Sequence, residues 1–496
     1  MTTLLDLFQK TVSAHPDRSA VFYGPNKISY QALADQSVAL SQTLRSKLGV
    51  QPADRVAILL KNCPEYIPCL YGVFRAGAAA VPVNNFLKFP EIEFILRDSG
   101  AKALITSDDF KEMLPRFHES LPELKILKVG DLPSVSTLEP FEAAPLTPSS
   151  LAVIVYTSGT TGKPKGAMLT QHNLASNVLS CQKLLHANPR DRFTLMLPMF
   201  HSFMLTVCIF TPLSMGASII LIRSLQPFKP VLQEFIKRRA TILIGIPQIF
   251  QAMAHAKIPF WVHWLLNFRL AVSGSAALSM ETFKMFSENF RFPLCEGYGL
   301  SEAAPVVSFN PIDGVRKPGT VGLPLADVQV KIFDEQDREV PVGEVGELVV
   351  RGPNVMLGYW NQKEESEQAL RNGWLHTGDL AKVDGDGYFT IVDRKKEMLI
   401  VHGMNVYPRE IEEIIYKMEG VRGAAVIGKT APQGELPVAF VEAVEGATLD
   451  ARTIQKLCKE KLADYKVPRE VRIVSNLPRT ATGKIAKLEL KKQLAV

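Results

Sequence analysis

Several things are missing from this chain, and each absence removes a class of function. The six cysteines, Cys63, Cys69, Cys181, Cys208, Cys295 and Cys458, form no C-x-x-C pair and have no nearby histidine at a zinc-site spacing, so no zinc module is expected and the thiols read as reduced and mostly buried. There is little excess of charge. The balance of 56 basic against 50 acidic side chains leaves +6, and no basic run or aromatic–basic alternation marks a nucleic-acid groove. A nucleic-acid partner is not expected, whereas anionic small molecules fit. The opening stretch, MTTLLDLFQKTVSAHPDRSA, lacks a basic segment leading into an apolar one, so no signal peptide is expected and the cytoplasm is the default location. Repeats at a fixed period and low-complexity tracts are also missing. One segment, 193–222, lacks formal charge altogether and is long enough to span a membrane. Pro198, His201, Pro212 and Gly216 divide it and no basic cluster flanks it, which predicts a buried strand, helix and strand instead.

What is present is a chain of 496 residues, 47% of them hydrophobic, too long for one core. Short apolar runs alternate with longer amphipathic ones: RVAILL, then 64–75, then AKALITS at 101–107, and later ATILIGI at 240–246. This alternation predicts an α/β fold with βαβ units and largely parallel sheet. AAPLTPSS (143–150) reads as a linker into a strand, LAVIVYT. Beyond Val392 the pattern becomes that of a small α+β unit. Pro408 opens a helix, strands are expected near 421–428 and 436–443, and a helix after Asp450 carries Ile454, Leu457 and Leu462 on one face. The expected division is a large multi-subdomain part, 1–393, and a cap, 394–496.

The stretch YTSGTTGKPKG, Tyr156 to Gly166, leaves the predicted strand. Glycines, Ser/Thr hydroxyls and lysines together suit a phosphate. It is not a Walker A loop, because no glycine stands four residues before a G-K-[ST] triplet and Pro164 follows Lys163.

With LPMFHSF (197–203), GYGLSE (297–302), WLHTGD (374–379), VDRKKEMLIVHGMNVYPREIE (392–412) and PRTATGKI (478–485) following in order, the chain resembles the AMP-forming adenylating superfamily along nearly its whole length. That group includes acyl-CoA synthetases, peptide adenylation domains and firefly-type luciferases. The resemblance is greatest to bacterial fatty acyl-CoA synthetases, without the insertion after the hinge that fatty acyl-AMP ligases carry.

The resemblance implies a set of site residues. ATP would be held by Thr157, Ser158, Gly159, Thr160, Thr161, Gly162 and Lys165 of the loop, by Ser275 and Ala276 of SGSAAL, and by Glu296, Gly297, Tyr298, Gly299, Ser301 and Glu302. Asp379 and Arg394 would grip the ribose, and Mg²⁺ would sit on Glu302 and Thr157. Lys396 takes the hinge position of a mobile cap, and Lys484 that of its catalytic lysine, acting with Glu302, Lys165 and His201. The acyl pocket would be lined by Phe200, His201, Phe203, Met204, Ile244 and Val306, an apolar set without an arginine for a second carboxylate.

The expected activity is ATP-dependent ligation of a medium- to long-chain fatty acid to CoA through an acyl-adenylate. An aryl or other hydrophobic acid, and a non-catalytic nucleotide-binding module, are the alternatives. Ile400 and Met404 stand where some relatives have basic residues facing ligand, so no CoA phosphate contacts are assigned. The aromatic stretch 258–270 is read either as ordinary packing or as a weak peripheral membrane contact.

Overall fold

In the computed structural model the described residues are 2–132, 142–157, 164–225, 227–256, 264–431, 434–444, 446–480 and 484–494. The alternation read from the sequence becomes two large sheets. A six-stranded sheet has the order Lys125–Lys128, Ala101–Thr106, Arg55–Leu59, Ala79–Pro82, Leu151–Thr157, Lys165–Thr170, and only the last strand is antiparallel to its neighbour. A nine-stranded sheet is parallel through its centre, from Leu294–Gly299 across Leu270–Ser273, Ile242–Gly245, Arg192–Leu195 and Ser218–Leu221 to Ser19–Tyr23. Such strands are buried on both faces. Ile219, Ile220, Ile242, Ile244 and Ala271 are each fully enclosed, as continuous apolar runs require.

The uncharged segment 193–222 folds as expected. Arg192–Leu195 and Ser218–Leu221 are adjacent parallel strands, and a wide helical run, Met204–Phe210, joins them. No helix among the described residues is long and apolar enough to cross a membrane. Five cysteines are buried and Cys63 is half-buried, and all are free thiols. Of the aromatic stretch, 258–263 lies outside the described residues. Trp264 is exposed beneath Arg291, and Phe268 is buried.

A four-stranded antiparallel sheet, Gln329–Phe333 to Phe389–Arg394, completes the first part. Arg394 is its last strand residue, paired with Asp379, so the expected division at 393/394 falls inside that strand by one residue. The cap follows. Its sheet, of order Met404–Val406, Leu399–Val401, Gly434–Ala443, Val421–Ala431, with Glu470–Val474 paired parallel to Gly434–Ala443, packs on helices Pro408–Ile415 and Ala451–Lys461. Pro408 occupies the first helical turn and Asp450 caps the second helix through Thr453 N–H at 2.8 Å. Ile454 and Cys458 are the fully buried residues of that helix, and Leu457 and Leu462 are half-buried.

Candidate active site

In an open parallel sheet, the loops leaving the C-terminal strand ends form the crevice where ligands bind. Here Gly245, Ser273 and Gly299 are such ends. After Ser273 the chain turns at once, with Ser275 at φ +68°. Gly274 allows the Phe203 ring to pack against the backbone, since a Cβ there would lie 3.0 Å from it. After Gly299 a short turn, Ser301–Ala303, presents Ser301 and Glu302. The two glycines of GYG are demanded by the hairpin itself. A Cβ on Gly299 would stand 2.3 Å from the Pro305 carbonyl oxygen, and one on Gly297 would stand 2.7 Å from the Phe309 ring.

Glu302 is where the two large sheets meet. Its Oε1 accepts from Thr157 Oγ1 at 3.4 Å and from the Tyr359 hydroxyl at 3.0 Å. Ser301 Oγ lies 3.0 Å from Ser202 Oγ. Ser158, Gly159, Thr160, Thr161 and Gly162 lie outside the described residues, but the loop's two ends are placed, because Thr157 pairs with Lys165 across the strands it joins. Lys165 is buried in an ion pair with Glu365, its ammonium 5.4 Å from the centre of the Tyr359 ring. A phosphate would compete with Glu365 for that charge.

On the opposite wall, Asp379 and Arg394 face one another across a strand pair, with Arg394 Nε 3.5 Å from Asp379 Oδ1. The Tyr298 hydroxyl donates to the other carboxylate oxygen. Burial pushes the Asp379 carboxyl above its usual range, while Arg394 and the Tyr298 hydrogen bond pull it back. Glu296 is enclosed behind this wall, where it accepts Leu278 N–H at 2.9 Å, and burial raises it to about 7. It braces the segment leading from Ser275 and Ala276.

The cap delivers Lys484 to this cleft. Burial, and then Arg394, lower the lysine to about 8, while Asp379, Glu302 and Glu397 pull it up. Lys484 in turn acts on His201, which loss of hydration and that nearby charge hold at about 4 and therefore neutral at physiological pH. His201 Nδ1 accepts Phe203 N–H at 3.3 Å, which fixes the ring. Phe200, Phe203, Met204, Ile244 and Val306 are buried in the extended apolar core of the first part. Lys396 is exposed in the turn between Arg394 and Leu399, and the preceding Lys395 donates its N–H to Gly378 O at 2.9 Å. Ile400 and Met404 are exposed on the cap.

Several residues of the site carry no local signal in the sequence. Tyr359 and Glu365 reach Glu302 and Lys165 from 57 and 200 positions away. Lys487 is clasped by Glu397 at 3.1 Å and Glu412 at 2.8 Å. Burial opposes its charge, but the two carboxylates hold it above the ordinary lysine value. This clasp ties the segment carrying Lys484 to the residue after the hinge.

The fold sets a large part against a smaller cap, whose Lys484 is brought near the carboxylates of the larger part. Residues 8–360 match the AMP-binding enzyme model and residues 410–484 match the AMP-binding enzyme C-terminal domain. The chain belongs to this family, as an AMP-forming acyl-CoA synthetase. It is 32% identical to a long-chain-fatty-acid–CoA ligase of Escherichia coli O6:H1, covering 99% of this chain and 94% of that one. It is 36% identical to a feruloyl-CoA synthase of Amycolatopsis sp, with 96% of each covered. ATP-bound MatB from Rhodopseudomonas palustris superposes with a TM-score of 0.92 at 31% identity over 99% of both chains, whereas its apo structure gives 0.80 at the same identity and coverage. The chain thus superposes better on the ATP-bound structure than on the apo one.

Proposed function

We propose that the protein joins a medium- to long-chain fatty acid to CoA through an acyl-adenylate, releasing pyrophosphate and then AMP. The observation that carries this reading is Lys484 of the cap standing among Glu302, Asp379, Arg394 and His201. A carboxylic acid is already ionised near neutrality, its pKa being roughly 4 to 5, so no general base is required. What is required is relief of repulsion between carboxylate and triphosphate.

Asp379 and Arg394 would accept from and donate to the ribose hydroxyls, and Tyr298, held by Asp379, would pack on the base. Lys484 would place its charge on the oxygens bridging carboxylate and α-phosphate. A carboxylate oxygen attacks the α-phosphorus and pyrophosphate departs. Glu302 with Thr157 offers hard oxygen ligands of the kind magnesium takes when phosphates and water supply the rest; both groups already share one hydrogen bond, so they can face one ion. Bound there, Mg²⁺ would neutralise phosphate charge. The cap would then turn about Lys396, withdrawing Lys484, and the CoA thiolate would attack the acyl carbonyl with AMP as leaving group.

The neutral, buried His201 and the buried apolar side chains of Phe200, Phe203, Met204, Ile244 and Val306 support an uncharged acyl chain. The fatty acid ligases among the relatives support the same choice. The higher identity to a feruloyl-CoA synthase favours a second reading, an aromatic acid in the same pocket. Keeping Glu302 and Lys484 together argues against a mere nucleotide sensor. No membrane partner is required by this chemistry.

Pyrophosphate and AMP release should be followed with ATP, Mg²⁺ and octanoate, palmitate, benzoate, ferulate or malonate, each with and without CoA. Turnover that needs both a fatty acid and CoA is the expected result. Preference for ferulate or benzoate would install the aromatic reading, and release indifferent to CoA would send the search to another acceptor.

A further inference from the structure

At the opposite end of the nine-stranded sheet, Arg18, Lys27, Arg190, Arg192, Lys237 and Arg238 frame an open cleft of about 440 Å³. Topology gathers them. Arg18 immediately precedes strand Ser19–Tyr23, Arg192 opens Arg192–Leu195, and Lys237 ends the helix before Ile242–Gly245. Ile242–Gly245, Arg192–Leu195, Ser218–Leu221 and Ser19–Tyr23 run parallel side by side in that order, so the cations stand at their N-terminal edge, away from the catalytic crevice at the C-terminal ends.

Like charges packed together repel, and little here relieves them. Among the described residues, Glu234 pairs with Arg238 at 2.7 Å, and the other five cations make no ion pair. Burial and the nearby Arg239, Arg18 and Arg238 all weaken the hold of Arg192 on its proton. The fold nevertheless fixes these groups. The guanidinium carbons of Arg192 and Arg238 lie 5.2 and 5.0 Å from the centre of the Phe22 ring. Arg192 also donates to the Arg238 carbonyl and Arg238 to the Gly24 carbonyl. A merely solvated basic face spreads its charges over a convex surface. Here they converge on a concavity with two guanidinium planes held in place, which suits tetrahedral oxyanions.

We propose that this cleft binds a phosphate-bearing anion with at least two negative charges, independently of the nucleotide in the catalytic site. Its volume falls in the range of small-ligand sites, about 300–1,000 Å³. That is room for a short polyphosphate or for the headgroup of an anionic phospholipid, which present the same chemistry.

The test is calorimetric titration of inorganic tripolyphosphate into the full chain at low salt. Two variants remove cations of the cleft, the exposed pair Arg190→Gln with Lys237→Gln, and the same pair with the half-buried Arg18→Gln; Lys484→Ala controls for binding in the catalytic cleft. Melting temperatures establish that each variant is folded, and the double variant touches only exposed side chains. Affinity should fall by about tenfold or more in both cleft variants and persist in Lys484→Ala. Co-sedimentation with phosphatidylcholine vesicles, with and without phosphatidylglycerol, identifies the source. Retention that needs phosphatidylglycerol and is lost in the variants assigns the site to a lipid headgroup, and no retention assigns it to a soluble anion. Tripolyphosphate binding that is absent from the wild type, unchanged in both cleft variants, or lost only in Lys484→Ala would overturn the proposal.

Discussion

The two walls of the catalytic cleft are built differently. The wall from the first part is cross-linked. Thr157 and Tyr359 converge on Glu302, Tyr298 and Arg394 converge on Asp379, and these links tie the turn after Gly299 to the six-stranded sheet and the strand Leu294–Gly299 to the four-stranded one. Among the described residues, the cap brings Lys484, whose carbonyl accepts Thr480 N–H at 2.7 Å. It acts on the wall through space, by charge. Polar contacts join the cap to the first part, including Gln251 Nε2 to Arg422 O at 3.2 Å and Arg409 Nη1 to Ile391 O at 2.8 Å. Polar interfaces of this kind separate at little cost. One wall is therefore preorganised for binding, and the other can leave once its charge has served.

The sharpest test of that asymmetry is Lys484→Ala. Adenylate formation should fall by about 10²–10³-fold, the loss typical of removing one preorganised charge-stabilising donor, while thioester formation from supplied acyl-adenylate is spared. Single-turnover assays of each half-reaction measure this, and equal loss of both would mean that the cap does not serve the two steps in different positions.

The same lysine predicts a pH limb. Its folded pKa is lowered to about 8, so the cation is present below that pH and is lost as pH rises through it. kcat/KM for ATP should drop by about tenfold per pH unit above the limb, and Lys484→Arg should move the limb upward. His201, at about 4, should add no limb between pH 5 and 7.

Lys487→Met asks whether the clasp positions Lys484. Leaving Glu397 and Glu412 without their shared cation should slow adenylation by roughly tenfold with ATP binding retained, and lower stability by about 1–3 kcal/mol after allowing for partial solvent access. Thermal melts and single-turnover rates read the two effects separately. On the rigid wall, Gly299→Ala should cost about 1–3 kcal/mol by overpacking against Pro305, seen as a lower Tm, with ATP affinity reduced as well.

Much of the fold was legible because its signals are local. RVAILL and ATILIGI became the strands Arg55–Leu59 and Ile242–Gly245, and Pro408 and Asp450 opened their helices. The uncharged run 193–222 was readable as buried strands once its prolines and Gly216 were weighed. Lys165 shows where such reading stops. Its motif suggests a free phosphate-binding charge, but Glu365, brought in from a distant helix, neutralises it. Tyr359 and Lys487 were invisible for the same reason, since a hydrogen bond or ion pair across dozens of positions leaves no period in the chain.

By itself, the sequence determined the order of strands and helices, the division into a large part and a cap, and the chemical kinds of group on offer: hydroxyls and glycines in the loop, Glu302, the Asp379 and Arg394 pair, and a lysine near the end. Those follow from backbone preferences and side-chain chemistry, which act over a few residues. Only the tertiary structure decided which of these groups share a cleft, which are neutralised by partners, and what each is worth as an acid or a base. Lys484 is lowered to about 8 and His201 to about 4 because packing removed water and set one charge beside another. Desolvation and Coulomb interaction depend on distances in space that sequence separation does not record.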